Sequence, residues 1–339
     1  MIETQAEQVT SVAVIGSGSW ATALVKILNE RPVTINWYLR SEDQVNHVLN
    51  FAHNPKYLSD VQVDLNKVKP SYNLTEVIAS ADLVILALPA AFLHATLSSC
   101  TAESFKGKTV FTAIKGMIPE RHLLISDYMH QQFDLRPSQL GIIAGPCHSE
   151  EVALERQSYL TISAVDQQAA ESMAHLLNCR FIHTHTIAND VQGIEYATVM
   201  KNIFSLAVGI TRGMNYGDNF QAVLVSNAMQ EMKRFLDKAC PMSERDLNES
   251  AYLGDLLVTA YSQFSRNRIF GQMIGKGYTV KSAQLEMNMI AEGYYAVKSL
   301  IEVNIELGLD LPICNFVYNI LYDNASPSRE IRLLEARLH

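Results

Sequence analysis

The first apolar run, residues 12–15, stops at Gly16, and the next apolar positions, Trp20, Leu24, Ile27 and Leu28, recur at helical spacing. That pattern predicts a strand, a tight turn and a helix. Residues 33–39 predict a second strand and complete a βαβ start, while later apolar runs predict strands at 83–88, 109–113, 140–144, 158–163 and 180–183. Helical patterns lie between several of these runs, so the first half is α/β, an open sheet covered by helices. From about Ile187 the texture changes. Residues 191–210, 220–239, 287–307 and 313–322 carry apolar positions at i, i+3 and i+4 and predict helices. Gly209, Gly213 and Gly217, and later Gly308 and Pro312, read as breaks between helices. The expectation is two domains, 1–187 an α/β sheet domain and 188–339 all helical, with no internal repeat and no flexible linker.

Composition agrees with two cores. The chain has 339 residues, 48% of them hydrophobic and 18% charged, which exceeds the usual size of a single compact domain. Its formal charge of -8, from 27 Lys plus Arg against 35 Asp plus Glu, gives no general attraction to phosphate polymers or anionic lipid. Nucleic acid is therefore not an expected partner, and any anion needs a local site. The five cysteines are odd in number, scattered and without a C-x-x-C pair, which predicts reduced thiols in a cytoplasmic protein. Residues 1–10 are polar and acidic, and no apolar run reaches the roughly 20 residues of a membrane span. Neither secretion nor stable membrane insertion is expected.

The turn Gly16-Ser17-Gly18-Ser19-Trp20-Ala21 follows the first strand and opens the first helix. In such a turn the first glycine allows the bend, the second lets backbone approach a pyrophosphate, and a small third residue lets the helix pack on the strand. Gly16, Ser17, Gly18, Ser19 and Trp20 are thus candidate dinucleotide-binding residues, with the helix N-terminus facing the phosphates. The acidic residue expected after the second strand is absent. Trp37-Tyr38-Leu39-Arg40-Ser41 stands there instead, and Arg40 suits an adenosine 2′-phosphate or the adenine face, so the cofactor is NAD or NADP. Lys115-Gly116 follows a later strand, where the ligand crevice of an open sheet lies.

The most unusual stretch is in the helical half. Gly254-Asp255 through Thr259 and Ser265-Arg266-Asn267-Arg268 place a carboxylate, hydroxyls, an amide and two guanidinium groups in fifteen positions. Such a cluster is costly if buried and well suited to a small anion. A plainer reading has Ser265 capping a helix whose arginines are solvated. His183 and His185 lack companion ligands and read as a strand-end pair, so no metal is expected. Cys147-His148 are adjacent in sequence, which does not bring their side chains together as a nucleophile pair.

Taken in order, Gly16-Ser17-Gly18-Ser19-Trp20, Asn54-Pro55-Lys56-Tyr57-Leu58, Lys115-Gly116, Gly145-Pro146, Lys201-Asn202, Gly254-Asp255-Leu256 and Ser265-Arg266-Asn267-Arg268 resemble the bacterial-type NAD(P)-dependent glycerol-3-phosphate dehydrogenase family. The resemblance runs from about Val12 to beyond Glu292. It implies an N-terminal Rossmann-like open sheet with a C-terminal all-helical domain. It also implies reversible hydride transfer between NAD(P)H and dihydroxyacetone phosphate, giving sn-glycerol 3-phosphate for phospholipid synthesis. By the same resemblance Lys201 is the catalytic lysine, and Lys115 is a second active-site lysine that meets both substrate and cofactor. Asp255 and Thr259 are the carboxylate and hydroxyl of the catalytic group, and Gly145 and Asn202 belong to the substrate site. Arg266 and Asn267 meet the substrate phosphate, Arg266 also reaches the cofactor, and Glu292 lies near the dinucleotide. A homodimer is expected. The departures are Ala21 for a glycine, Cys147-His148 for a more usual Ser-Phe, and Asn227-Ala228 for an Arg-Gly pair.

The chemistry that follows is that of a proton donor. Reducing a ketone by hydride needs a proton as negative charge grows on the carbonyl oxygen, and Lys201 can supply it if burial and nearby cations lower its pKa. Asp255 would orient the ammonium, and Thr259 would relay or anchor the hydroxyl. A hydroxyacid or sugar-acid dehydrogenase with the same two-part layout is the competing enzyme, and a silent dinucleotide-binding module is the competing non-enzyme. Lys201 and Asp255 argue against the latter.

Overall fold

The computed structural model describes residues 9–287 and 291–339. Strands β1 (Ser11–Ile15), β2 (Thr34–Tyr38), β3 (Val68–Ser71), β4 (Leu83–Leu86), β5 (Thr109–Thr112), β6 (Leu140–Ala144), β7 (Ser158–Ala164) and β8 (Ile182–Ala188) form one sheet in the order β3-β2-β1-β4-β5-β6-β7-β8. Neighbours run parallel except β6 and β7, which are antiparallel. The chain winds outward from β1 to β3 and then returns to β4. The two directions part between β1 and β4, the switch point at which open α/β sheets bind ligands. Helix α1 (Ser19–Asn29) follows β1, and α2 (Glu42–Phe51) follows β2.

Two strands differ from the sequence expectation. β3 is Val-Lys-Pro-Ser, with one strongly apolar residue and a proline. It is tolerated because β3 is an edge strand paired only with β2, where the missing proline N–H breaks no ladder. β8 continues to Ala188 rather than ending at residue 183. It too is an edge strand, and its alternation of buried and exposed positions carries polar His183 and His185 outward.

The chain divides into two compact units. The first runs to Leu88 and adds Phe92–Ile114 and Ile125–Val191; the second is Pro89–Ala91, Lys115–Leu124 and Gln192–His339. Lys115 therefore belongs with the helices, although it follows a strand of the sheet. Three helices of the second unit matter most below: the lysine helix Val191–Gly213, the aspartate helix Asp255–Tyr261 and the arginine helix Arg266–Gly275. Helices Asp218–Ala239, Glu292–Leu307 and Pro312–Leu321 complete the predicted set. Of the helix predicted over 287–307, Met287 instead ends a shorter helix and residues 288–290 lie outside the described residues.

Gly209 and Gly213 do not break the lysine helix; they lie within it. A Cβ on Gly209 would run into the carbonyl oxygen of Arg268, and one on Gly271 into the carbonyl oxygen of Leu206. Gly213 and Gly275 meet the opposite helix in the same way. The lysine and arginine helices thus cross backbone to backbone. Each glycine costs about 1 kcal/mol of helix propensity relative to alanine, and the close packing of the two backbones offsets it. Gly271→Ala should push the helices apart and lower stability by about 1–3 kcal/mol. Urea unfolding would read this as a lower midpoint, and an unchanged midpoint would show that the crossing tolerates a methyl group.

Candidate active site

In the first unit, the glycine-rich turn joins β1 to α1. Gly16 has φ +146° and a Cβ there would run into the carbonyl oxygen of Ala87, so the close approach of the turn to the end of β4 requires glycine. Gly18 differs, because a Cβ built on it meets no protein atom within 4 Å. Packing does not demand glycine at that position; the open space is what a phosphate approaching the backbone needs. α1 begins directly after Gly18 with no acidic residue in its first turn and Lys26 in its last. Its positive end is therefore left for an anion. Ala21 is fully buried, so the third position accepts its methyl group. Arg40 is exposed just beyond β2, with its backbone N–H donating to Gln44 Oε1 at 3.1 Å. This arrangement fits a dinucleotide pyrophosphate and leaves the 2′ position open to either cofactor.

Gly145 sits just past β6 in the first unit at φ +109°, where a Cβ would lie 2.9 Å from the Tyr159 carbonyl oxygen. The start of the antiparallel β6–β7 pairing accounts for its glycine. Cys147 is buried, and the His183 ring packs on Tyr159 with centroids 5.4 Å apart. Among the described residues, no group of three or more His, Cys, Asp or Glu is placed to hold a metal ion.

The second unit brings together Lys201, Asp255 and Lys115. Lys201 and Asp255 are 3% and 1% exposed, and Lys201 Nζ donates to Asp255 Oδ1. The other carboxylate oxygen, Oδ2, accepts no hydrogen bond and lies 3.7 Å from Lys115 Nζ. Burial drives the Lys201 pKa down, Asp255 beside it pulls it up, Lys115 pushes it down again, and the balance is about 7. A lysine near 7 can give or take a proton at neutral pH.

Local structure explains how these groups meet. Asp255 lies where a π-helical turn, Ser250–Gly254, runs without a break into the aspartate helix, and such π turns often mark functional sites. One turn on, Thr259 Oγ1 donates to the Asp255 carbonyl oxygen at 2.6 Å, so its hydroxyl turns its lone pairs outward and acts as an acceptor. Ser205 Oγ, one turn after Lys201, donates to the Thr259 carbonyl oxygen at 2.8 Å and lies 3.0 Å from Ser265 Oγ. Ser265 in turn caps the arginine helix by accepting from the Arg268 N–H at 3.3 Å. The plainer helix-start reading thus holds for Ser265. It does not hold for Arg268, which is half-buried rather than solvated and whose Nε donates back to the Ser262 carbonyl oxygen at 3.1 Å.

Asn202 and Asn267 form a chain of amides. Asn202 Nδ2 donates to the Lys115 carbonyl oxygen at 2.7 Å, Asn267 Nδ2 donates to Asn202 Oδ1 at 2.9 Å, and the Gly293 N–H donates to Asn267 Oδ1 at 2.9 Å. The family resemblance assigns both asparagines to the substrate. Here Asn202 ties the lysine loop to the lysine helix, Asn267 links Asn202 to the start of the helix Glu292–Leu307, and each NH2 keeps a second hydrogen for other use. Arg266 heads the arginine helix beside Glu292. Burial raises the Glu292 carboxyl to about 7, against the pull of Arg266 and the Ala90 N–H. A Cβ on Gly116 would be 2.9 Å from Glu292 Oε2, so the glycine after Lys115 makes room for that carboxyl.

Sequence reasoning did not find Ser205, Gly293 or the Gly116–Glu292 contact. A signal existed: Lys201, Ser205, Gly209 and Gly213 stand four apart, as do Asn267, Gly271 and Gly275. That spacing puts each set on one helix face. Asn227, which replaces an arginine of the family pattern, donates to the His339 carbonyl oxygen at 2.8 Å and to that of Val223 at 3.0 Å. Its contact is structural.

A dinucleotide turn at the switch point of an open sheet, together with a buried lysine–aspartate pair in a helical unit, defines a nicotinamide-dependent oxidoreductase. Residues 11–170 match the model of the NAD-dependent glycerol-3-phosphate dehydrogenase N-terminus and residues 190–332 that of its C-terminus, so the chain belongs to this family. It is similar to a glycerol-3-phosphate dehydrogenase [NAD(P)+] of an Exiguobacterium species, 31% identical with 96% of this chain and 95% of that protein covered. A Staphylococcus haemolyticus protein of the same name is 30% identical, with 97% and 98% covered. Among solved structures, a glycerol-3-phosphate dehydrogenase from Coxiella burnetii shares the fold at a TM-score of 0.88 and 23% identity, over 96% of this chain and 98% of the other. A D-mandelate dehydrogenase with NADH and anilino(oxo)acetate has a TM-score of 0.58 at 12% identity, over 96% of this chain and 99% of that one.

The amide chain makes a direct prediction. Asn267→Ala leaves Asn202 Oδ1 and the Gly293 N–H without their partner and should cost about 1–3 kcal/mol. In a double-mutant cycle with Asn202→Ala, the double variant's loss should fall short of the sum of the two single losses by at least about 0.5 kcal/mol. Additive losses would mean that the two amides act independently.

Proposed function

We propose that this protein catalyses the reversible, NAD(P)-dependent interconversion of dihydroxyacetone phosphate and sn-glycerol 3-phosphate, supplying the latter for phospholipid synthesis. The observation that carries the reading is the buried Lys201–Asp255 pair with Lys115 at the free carboxylate oxygen, in a chain whose two halves both match the family. When bound, the nicotinamide supplies or accepts the hydride. Gly16, Ser17, Gly18, Ser19 and Trp20 hold the dinucleotide, with Arg40 at the adenosine end and Lys115, Arg266 and Glu292 at the other.

The protein's own residues handle charge and protons. In the reducing direction Lys201 donates a proton to the carbonyl oxygen as negative charge develops there, and in the oxidising direction it takes one back. Asp255 fixes the aim of that ammonium and stabilises its charged form. Burial, aided by the second cation that Lys115 places beside the same carboxylate, holds Lys201 low enough to release its proton. Thr259 accepts from a hydroxyl or ammonium in the site, and Gly145 and Asn202 complete the substrate surroundings. Arg266 and the remaining N–H of Asn267 bind the substrate phosphate; a guanidinium is the strongest such donor available. Glu292, with its carboxyl near neutrality, offsets the Arg266 charge without cancelling it at every pH.

We also read the protein as a cytoplasmic homodimer. Its five cysteines are all free thiols, and no helix among the described residues is long and apolar enough to cross a membrane. Leu257, Tyr261, Phe264 and Ile269 leave apolar surface exposed along the aspartate and arginine helices, which supports burial against a second copy. Light scattering should give twice the chain mass; a monomer at micromolar concentration would end the dimer reading.

The test of function is NADH and NADPH oxidation with dihydroxyacetone phosphate, beside unphosphorylated dihydroxyacetone and small keto acids. No preference for the phosphorylated ketone would remove the substrate assignment. Lys201→Ala should lower kcat by about 10²–10⁴-fold, whereas Arg266→Ala should act mainly by raising KM for dihydroxyacetone phosphate. Because reduction needs protonated Lys201, kcat/KM for reduction should be flat below about 7 and fall above it. The oxidation profile should show the opposite slope. A reduction rate that rises through neutrality would contradict Lys201 as the acid.

A further inference from the structure

The motif Asn54-Pro55-Lys56-Tyr57-Leu58 has no part in the chemistry above, yet Asn54 is 1% exposed and its side chain makes four hydrogen bonds. Nδ2 donates to the Ser17 carbonyl oxygen at 3.1 Å and to Thr22 Oγ1 at 2.9 Å. Oδ1 accepts from the Lys56 N–H at 2.9 Å and the Tyr57 N–H at 3.1 Å. Both donors and both acceptor positions of the amide are thereby used.

The neighbouring peptides of the glycine-rich turn are held in the same manner. Trp37, fully buried on β2, donates from Nε1 to the Gly16 carbonyl oxygen at 2.8 Å. The Gly18 carbonyl oxygen accepts from the Thr22 N–H and from Thr22 Oγ1, both at 3.0 Å. Three successive carbonyls, those of residues 16, 17 and 18, are therefore each pinned by a donor. A trans peptide is planar, and its N–H points opposite to its C=O. Fixing these carbonyls fixes the N–H groups of Ser17, Gly18 and Ser19 on the other side, the group of donors that a pyrophosphate meets at such a turn. The Gly18 carbonyl is pinned locally from α1, whereas those of Gly16 and Ser17 are pinned from β2 and from the segment after α2, distant parts of the first unit.

We propose that Asn54 and Trp37 are positioning residues for the dinucleotide pyrophosphate, acting through the Ser17 and Gly16 carbonyls to hold the phosphate-facing N–H groups in place. They set the affinity for the dinucleotide and leave the proton chemistry of Lys201 alone. The proposal rests on the dinucleotide reading of the turn and not on the identity of the substrate.

Two variants test it. Trp37→Phe keeps a buried ring and removes only the Nε1 donor; Asn54→Asp keeps the Oδ1 acceptor and sets an oxygen against the Ser17 carbonyl. Each purified full-length variant is titrated with NADH, NADPH and ADP-ribose by fluorescence or calorimetry, and its melting temperature and steady-state constants are measured. In Trp37→Phe, Kd for ADP-ribose and for the preferred dinucleotide should rise together by roughly tenfold, equivalent to about 1.4 kcal/mol. KM for that dinucleotide should follow, while KM for dihydroxyacetone phosphate and kcat at saturating cofactor change less than twofold. Asn54→Asp should show the same split with a larger rise. A folded Trp37→Phe with parental Kd values overturns the proposal, as does a fall in kcat with Kd unchanged. Should Asn54→Asp fail to fold, Trp37→Phe decides alone. Should Trp37→Phe also fail to fold, the tryptophan is a core residue and the proposal falls. A parent that binds NADH or NADPH without turning over dihydroxyacetone phosphate would remove the functional reading while these binding measurements still decide this one.

Discussion

The site in the second unit depends on one close contact, the crossing of the lysine and arginine helices at glycine. Gly209 faces the Arg268 carbonyl and Gly271 the Leu206 carbonyl at distances no side chain permits. Ordinary helix pairs stand 8–10 Å apart because their side chains interdigitate. Removing side chains at the contact draws the axes together, and short side chains flanking it can then bond across. Ser205 reaches Ser265, and Asn202 reaches Asn267, only because the helices that carry them are so close. The polar geometry is thus a product of the packing, and the packing is a product of where the glycines fall.

That closeness makes an otherwise costly group of charges sustainable. Two ammonium groups and one carboxylate, with Lys201 and Asp255 almost fully enclosed, would be expensive to desolvate if all stayed charged and unpaired. The chain answers in two ways. Asp255 is shared by both lysines, and Lys201 is driven toward neutrality by its burial. The burial that penalises the cluster is therefore also what places one lysine within reach of proton transfer at neutral pH. A surface lysine with the same partner would be more comfortable and of no catalytic use.

Much of this was legible in the sequence, and the parts that were not share a cause. Apolar runs marked the strands that lie inside the sheet, because buried parallel strands read as continuous hydrophobic stretches. They missed β3 and shortened β8, because edge strands carry proline, lysine and histidine and look like loops. The resemblance singles out Lys201, Asp255, Lys115 and Glu292, and the fold brings the first three together. What remained hidden was connection: that Asn202 braces the Lys115 loop, that Thr259 spends its proton on its own helix, and that Arg268 turns back to Ser262. Local rules assign such polar residues to ligands or to solvent, since only the fold says which carbonyl lies next to them. Gly209 and Gly213 lie inside a helix for the same reason. Glycine inside a helix is a breaker by propensity and a contact by packing, and the partner helix decides which.

The two units solve a common problem with the same residue. Each must hold backbone or lysine in a fixed pose beside a charged ligand, and a charged brace would perturb the very potential the ligand senses. A neutral amide avoids this. Asn54 in the first unit and Asn202 and Asn267 in the second each donate and accept at once, so that each links two pieces of backbone or side chain without adding charge. Aspartate in their place would add a negative charge beside a phosphate site or beside Lys115, and alanine would leave buried groups unpaired. An asparagine whose donors and acceptors are both consumed by the protein is thus a brace, whereas one with open valences at a surface is a candidate ligand. By that criterion Asn54 contributes to cofactor affinity only through the turn it holds, while Asn202 and Asn267, each with one hydrogen left over, can brace the site and face its ligand at the same time.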